Sequence, residues 1–297
     1  MTLLTTRPGE IGLLAAGAIR SALVKATDQA NISSYIEGQS PLAWSDISDA
    51  GWDLVGVTED DESATLRDLV EIAKAWGEIT VQLPLLTTIM AKRHSASAAE
   101  HDGPVTFSIP TRALSAGTGM VPFGQIADMH VVSDFISETS SLVAVQSLAS
   151  DIFAPSLRAA HSSHITTFTA EAAREISVVW AAEGSGIAKR AVADAVTYAK
   201  QRMQFGKPIG SFQAVKHHLS NAHMDAEQAE TAVVWGSLDP ANAHRSAVYS
   251  LDLSIRAVEL AIQVHGGIGF TWEMGLHFYL RHLITLREMV TALGEHA

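Results

Sequence analysis

From about residue 167 to the end of the chain, helical periodicity is broken only by three turn-forming stretches, "FGKPIG", "SLDPANAHR" and "HGGIGF". Apolar residues recur at helix spacing between them. Val192, Ala195, Val196 and Ala199 share a face in "AVADAVTYAKQR", and Ala257, Leu260, Ala261 and Val264 share another. Pro208 and Gly210 punctuate the first break. Long amphipathic helices on short connections bury their apolar faces only against one another, so the spacing predicts an antiparallel four-helix bundle over 161–297.

The first hundred residues are helical as well. Over 7–36, Ile11, Leu14, Ala15 and Ala18 fall on one face. Over 63–78, Leu66, Leu69, Val70 and Ala73 do the same, and a further helix spans about 82–98 with Pro84 near its start. Between these blocks, "GPVTFSIP", "GMVPFG", "MHVVSD" and "SSLVAVQSL" are short β-rich runs separated by Gly, Pro and Asp, with room for about four strands. The expected fold is mainly α with a small β domain: a helical domain over 1–103, a β domain over 104–160 and a helical bundle over 161–297.

Charge and composition exclude several functions. With 297 residues, 47% of them apolar, the chain buries sizeable cores. A net charge of −12 argues against a nucleic-acid partner, which needs a concentrated basic face. The absence of cysteine excludes disulfides and thiolate catalysis and fits a reducing cytoplasm. The start "MTLLTTRPGEIG" lacks the pattern of a signal peptide, and no run of about 18 apolar residues predicts a membrane span. His217, His218, His223, His277 and His282 match no metal-ligand spacing, so no metal is expected. Trp180 and Trp235 read as core residues.

Two motifs carry chemistry. In "YAKQRMQFGKPIGSFQAVKHH", Arg202 stands at a helix end, where its planar fork of donors suits a pyrophosphate or simply balances the helix dipole. Gln204 and Phe205 follow at the exit, and Phe212 and Gln213 open the next helix, whose free N–H groups favour anions. In "QVHGGIGFTWE", Gln263, Val264 and His265 lead into Gly266 and Gly267. Glycines there permit close approach of a ligand or merely stop a helix. "GSG" at 184–186 follows no strand and reads as close helix packing.

Together, "RMQFGKPIGSFQ", "QVHGGIGFTWE" and the following "YLR" resemble the acyl-CoA dehydrogenase family. The stretches "GWDLVGVTEDD" and "GMVPFGQIADMHVV" are similar to that family's earlier segments. The resemblance implies FAD as cofactor, an acyl-CoA substrate, a carboxylate that removes the α proton, and an electron-transfer flavoprotein or similar acceptor. It implies that Arg202, Gln204, Phe205, Phe212, Gln213, Gln263, Val264, His265, Gly266 and Gly267 grip the ADP half of a FAD housed chiefly by a neighbouring subunit, with Trp272 near the adenine.

Two departures from the family pattern change the expectation. The β region has no turn of the type E-P-x-A-G-S-D, so the β domain is truncated and a flavin-ring seat is not expected in this chain. The family's glutamate in an E-G-T context falls on Val290, and its alternative place on the first bundle helix falls on Ile176. Glu175 and Glu288 are the neighbouring carboxylates, and no catalytic residue is expected here. The chain is thus similar to the shortened, degenerate subunit of actinobacterial heterotetrameric (α2β2) acyl-CoA dehydrogenases of steroid and cholesterol catabolism. That subunit completes FAD sites beside a full-length partner. A self-sufficient enzyme using Glu175 or Glu288, and a scaffold without flavin, remain the alternative readings.

Overall fold

The computed structural model describes residues 7–27, 40–58, 63–79, 81–110, 117–131, 142–144, 149–150 and 153–295. The N-terminal block holds α1 (Glu10–Thr27), α2 (Trp44–Asp49), α3 (Leu66–Gly77), α4 (Leu85–His94) and α5 (Ala96–Ala99). The bundle is α6 (Ala170–Gln201), α7 (Gln213–Leu238), α8 (Ala243–His265) and α9 (Leu276–Gly294), joined by short connections.

The centre of the molecule is α3, which is buried on nearly every side between α1 and α6. A capping box starts it. Thr65 Oγ1 accepts from the Asp68 N–H at 3.2 Å, and Asp68 Oδ2 accepts from the Thr65 N–H at 2.9 Å. Asp68 also accepts from the Gly9 N–H at 2.6 Å, which docks the start of α1 on the start of α3. Where α3 crosses α6, a Cβ on Gly77 would sit 2.1 Å from the Glu183 carbonyl oxygen, and one on Gly186 2.2 Å from that of Lys74. A Cβ on Gly184 would meet Leu251 at 2.6 Å. The glycines at 184–186 therefore serve close helix packing, as their context predicts.

The β region departs from the expected number of strands. Among the described residues it contains β1 (Val105–Phe107), β2 (Ile109–Pro110), β3 (Gly119–Val121), β4 (Met129–Val131), β5 (Leu142–Ala144), β6 (Ala149–Ser150) and β7 (Ala160–Ser162). They form one sheet in the order β1-β4-β5 and another in the order β2-β3-β7-β6. In the first, β1 and β4 run parallel and the other pair antiparallel; the second is antiparallel throughout. Strands of two or three residues carry too little alternation to be counted in a sequence. The stretch 99–124, which passes through the place of the family's turn, is described except for residues 111–116, which lie outside the described residues.

Two side-chain expectations are corrected. Trp180 is buried, but Trp235 is 51% exposed because it lies on the outer side of α7. In α1 the core-facing residues are Gly12, Ala16, Ile19 and Leu23, whereas Ile11, Leu14 and Ala18 face outward.

Candidate functional site

The two sequence motifs meet at one end of the bundle. Tyr198, in the last turn of α6, stacks on His265, the last residue of α8, with ring centroids 4.5 Å apart and planes inclined by 27°. This contact ties the two helix ends together. Between them projects a hairpin of β8 (Met203–Gln204) and β9 (Lys207–Pro208). Its turn residues Phe205 and Gly206 have φ of 51° and 78°, the geometry of a tight two-residue hairpin. A left-handed φ is uncommon for a phenylalanine, and this one is 90% exposed. Its ring meets the edge of Phe212, at 6.0 Å between centroids, while Lys207 Nζ lies 4.3 Å from the Phe212 ring centre.

Arg202, Gln204, Gln213 and Gln263 are exposed around this hairpin. The Arg202 guanidinium makes no ion pair or hydrogen bond among the described residues. Phe212 at the N-cap makes no side-chain cap bond to α7, and the turn before it is tied to Arg202, whose carbonyl accepts from the Ile209 N–H at 2.8 Å. A free arginine fork and an uncapped helix start together suit a phosphate-bearing group.

Each glycine of "GGIG" has its own reason. Gly266 ends α8 with φ 66°, a conformation costly for other residues, and its N–H returns to Ile262 and Gln263 carbonyls. Gly269 packs so closely that a Cβ would lie 2.7 Å from the Ile262 oxygen. At Gly267 nothing lies within 4 Å of a Cβ and φ is unstrained, so neither packing nor backbone within this chain requires glycine there. Val264 and His265 point inward and are buried. His265 Nδ1 lies 2.7 Å from the Ala261 carbonyl oxygen, which only accepts, so Nδ1 carries the proton. Of these two residues, the backbone rather than the side chain borders the corner. Trp272 is half-exposed and meets the Phe278 ring edge-on at 4.8 Å.

The carboxylate candidates lie elsewhere. Glu175 is not the solvated acid that its place near a helix start suggests. It is 9% exposed and held in a fork by Arg93, with Nε to Oε2 at 2.6 Å and Nη2 to Oε1 at 3.4 Å. His94 Nε2 lies 3.1 Å from Oε2. Burial pushes the Glu175 carboxyl up, but hydrogen bonds from His94 and Arg93, with their charges, outweigh it and hold the group at about 2. A carboxylate that acidic is a poor proton acceptor. Ile176 and Val290 are fully buried in the core, and Glu288 is half-buried on α9.

Arg93 and His94 were not singled out by sequence reasoning; the adjacent basic pair at the end of α4 is the only signal. In a second buried cluster, sequence reasoning named only His282, and only to set metal binding aside. His282 Nδ1 and Ser156 Oγ are 2.8 Å apart, and His282 Nε2 approaches Glu183 Oε1 at 3.2 Å, at an angle that falls short of a hydrogen bond.

The chain is similar in sequence and fold to known proteins. The pattern of the "Acyl-CoA dehydrogenase, C-terminal domain" family matches residues 175–289, spanning α6 to α9. Acyl-CoA dehydrogenase IpdE2 of Mycobacterium tuberculosis is 30% identical over 238 residues, covering 73% of this chain and 71% of that protein. Among solved structures, a chain of the ChsE4-ChsE5 complex of Mycobacterium tuberculosis superposes with a TM-score of 0.77 at 18% identity, covering 97% of this chain and 94% of that one. A chain of the Tcur3481-Tcur3483 steroid ACAD superposes with a TM-score of 0.73 at 18% identity, covering 97% of each. No helix among the described residues is long and apolar enough to cross a membrane.

Proposed function

The chain belongs to the acyl-CoA dehydrogenase family, and on that premise we propose that it is the non-catalytic subunit of a heteromeric, FAD-dependent acyl-CoA dehydrogenase. Its corner of Arg202, Gln204, Phe205, Phe212, Gln213, Gln263 and the 264–267 backbone completes the ADP half of a FAD seated mainly in a second, full-length subunit. The observation that carries the reading is the spare recognition capacity of that corner. Among the described residues, Arg202 makes no ion pair or hydrogen bond, Phe205 is displayed on a left-handed turn, and Gly267 is open where its neighbours need no glycine.

Bound there, FAD supplies the acceptor for the hydride from Cβ of the acyl-CoA. The residues of this chain hold its phosphates by charge-assisted hydrogen bonds and let backbone approach at Gly266–Gly267. The α proton goes to a carboxylate of the partner. The ion-paired Glu175 and the valine at 290 support that division of labour, and the clamp on Glu175 weighs against a self-sufficient enzyme. An α2β2 assembly, reoxidation by an electron-transfer flavoprotein or similar acceptor, and a cytoplasmic setting complete the proposal. A bulky, steroid-derived acyl-CoA is the proposed substrate, supported by the fold shared with the steroid ACAD.

The test is the flavin content of this chain purified alone and co-expressed with its partner. A colourless lone chain, with about one FAD per heterodimer in the pair, is expected. A lone chain that retains one FAD per subunit refutes the proposal. Within the pair, Arg202→Ala weakens FAD retention by about 1.5–3 kcal/mol, roughly ten- to a hundredfold, with unchanged helicity. Unchanged flavin content in that variant removes the ADP-binding role.

A further inference from the structure

Helix α1 is apolar on two opposite faces. One face, Gly12, Ala16, Ile19 and Leu23, packs on α3. The other is exposed among the described residues: Leu13 is 58%, Leu14 65%, Val24 57% and Ile11 40% exposed, and Gly17, Ala18 and Ser21 lie among them. An outer helix of a folded domain normally turns polar residues to water. A second stripe at helix spacing signals a second packing partner.

The charges say which partner fits. Glu10 opens this stripe and Lys25 closes it; both are exposed, and neither makes an ion pair among the described residues. The stripe is nearly symmetric about the midpoint between Gly17 and Ala18. Reading outward from that point, Gly17 answers Ala18, Leu14 answers Ser21, Ile11 answers Val24 and Glu10 answers Lys25. Two antiparallel copies related by a two-fold axis through that point set small residues opposite one another at the crossing. They set Leu14 over Ser21, Ile11 against Val24, and each glutamate opposite the other copy's lysine. Such a self-complementary face is what an isologous contact requires. Among the described residues a Cβ at Gly17 would meet nothing within 4 Å, so a second helix has room to approach there.

We propose that two copies of this chain associate through the outer face of α1, antiparallel, with the Glu10–Lys25 pairs fixing the direction. The proposal does not rest on the flavin reading. The area is that of one helix about 27 Å long, which predicts a modest, concentration-dependent dimer.

The chain has no cysteine, so single substitutions provide a direct probe. Ala18→Cys lies beside the axis and is expected to cross-link to a covalent dimer on mild oxidation. Val24→Cys, about 20 Å from its counterpart in an antiparallel pair, is expected not to. Adding Leu14→Glu, an exposed position, abolishes the Ala18→Cys cross-link while circular dichroism stays native. In sedimentation equilibrium at low salt, Glu10→Lys raises the dimer dissociation constant about fivefold or more, and adding Lys25→Glu restores it. Equal cross-linking of the two cysteine variants, or an oligomeric state unmoved by Leu14→Glu, overturns the proposal. So does co-sedimentation with phosphatidylglycerol vesicles that Leu14→Glu abolishes while Ala18→Cys fails to cross-link, which assigns the stripe to a lipid surface. A stripe covered instead by the co-expressed subunit, seen as its cross-link to the Ala18→Cys chain, also overturns it.

Discussion

Glu175 sits between Arg93 and His94, and its titration reaches the stability of the whole chain. Its carboxyl is held at about 2 against an ordinary 4.5. A depressed carboxylate contributes stability in full above its unfolded-state value and loses it as pH falls through the folded one. The chain should therefore lose about 3 kcal/mol from this group between roughly pH 4.5 and 2. Urea unfolding measured across that window should show the slope in the native chain and not in Glu175→Gln. At neutral pH the same variant should be less stable by about 2–3 kcal/mol, since Arg93 keeps its charge and loses its fork. Turnover of an assembled complex, measured below the melting range, should stay near normal if the base lies in the partner. A loss of three or more orders of magnitude would restore Glu175 as a base. The sequence displayed Glu175 as a helix-start acid. Arg93 stands 82 positions away, and no periodicity connects the two.

At the scale of elements, the turn after α8 separates what glycine does for the fold from what it offers a ligand. Gly266→Ala should cost about 1–3 kcal/mol, because φ 66° with ψ −144° is a conformation essentially confined to glycine. Gly267→Ala should change stability by less than about 0.5 kcal/mol, since nothing crowds the added methyl. It should nonetheless lower flavin retention in the assembled complex. Thermal melts read the first difference and flavin release the second. If Gly267→Ala leaves flavin retention unchanged, this turn is a helix stop and nothing more. Periodicity located α6 and α8 because each has one apolar face. It chose the wrong side of α1, where both sides are apolar, because spacing identifies a stripe without saying which way it points.

At the scale of the molecule, the β region and the bundle are joined through a buried polar contact. Ser156 comes from the 3-10 turn at Pro155–Leu157, Glu183 from α6 and His282 from α9, and all three are buried. Polar groups taken from water that far need one another, and a missing member leaves the rest uncompensated. His282→Ala should destabilise the chain by about 3 kcal/mol, and Ser156→Ala by about 1 kcal/mol. Hydrogen exchange should rise first in the strands between 105 and 162 while the bundle core stays protected. Equal loss of protection in both regions would mean that the contact supports the fold at large rather than the seat of the β region.

The role of both motif corners came with the resemblance to a family, while their position, the order of elements and the four-helix bundle follow from local spacing, helix periodicity and glycine and proline breaks. Those relations survive in one dimension because a helix repeats every few residues. What the tertiary structure alone decided is which of these residues face outward. It turned Val264 and His265 into the bundle and left Arg202 and Gly267 exposed. It clamped Glu175 between Arg93 and His94, and it left the second face of α1 uncovered. Burial and ion pairing depend on residues distant in sequence that meet only when the chain packs, and no local pattern records those meetings.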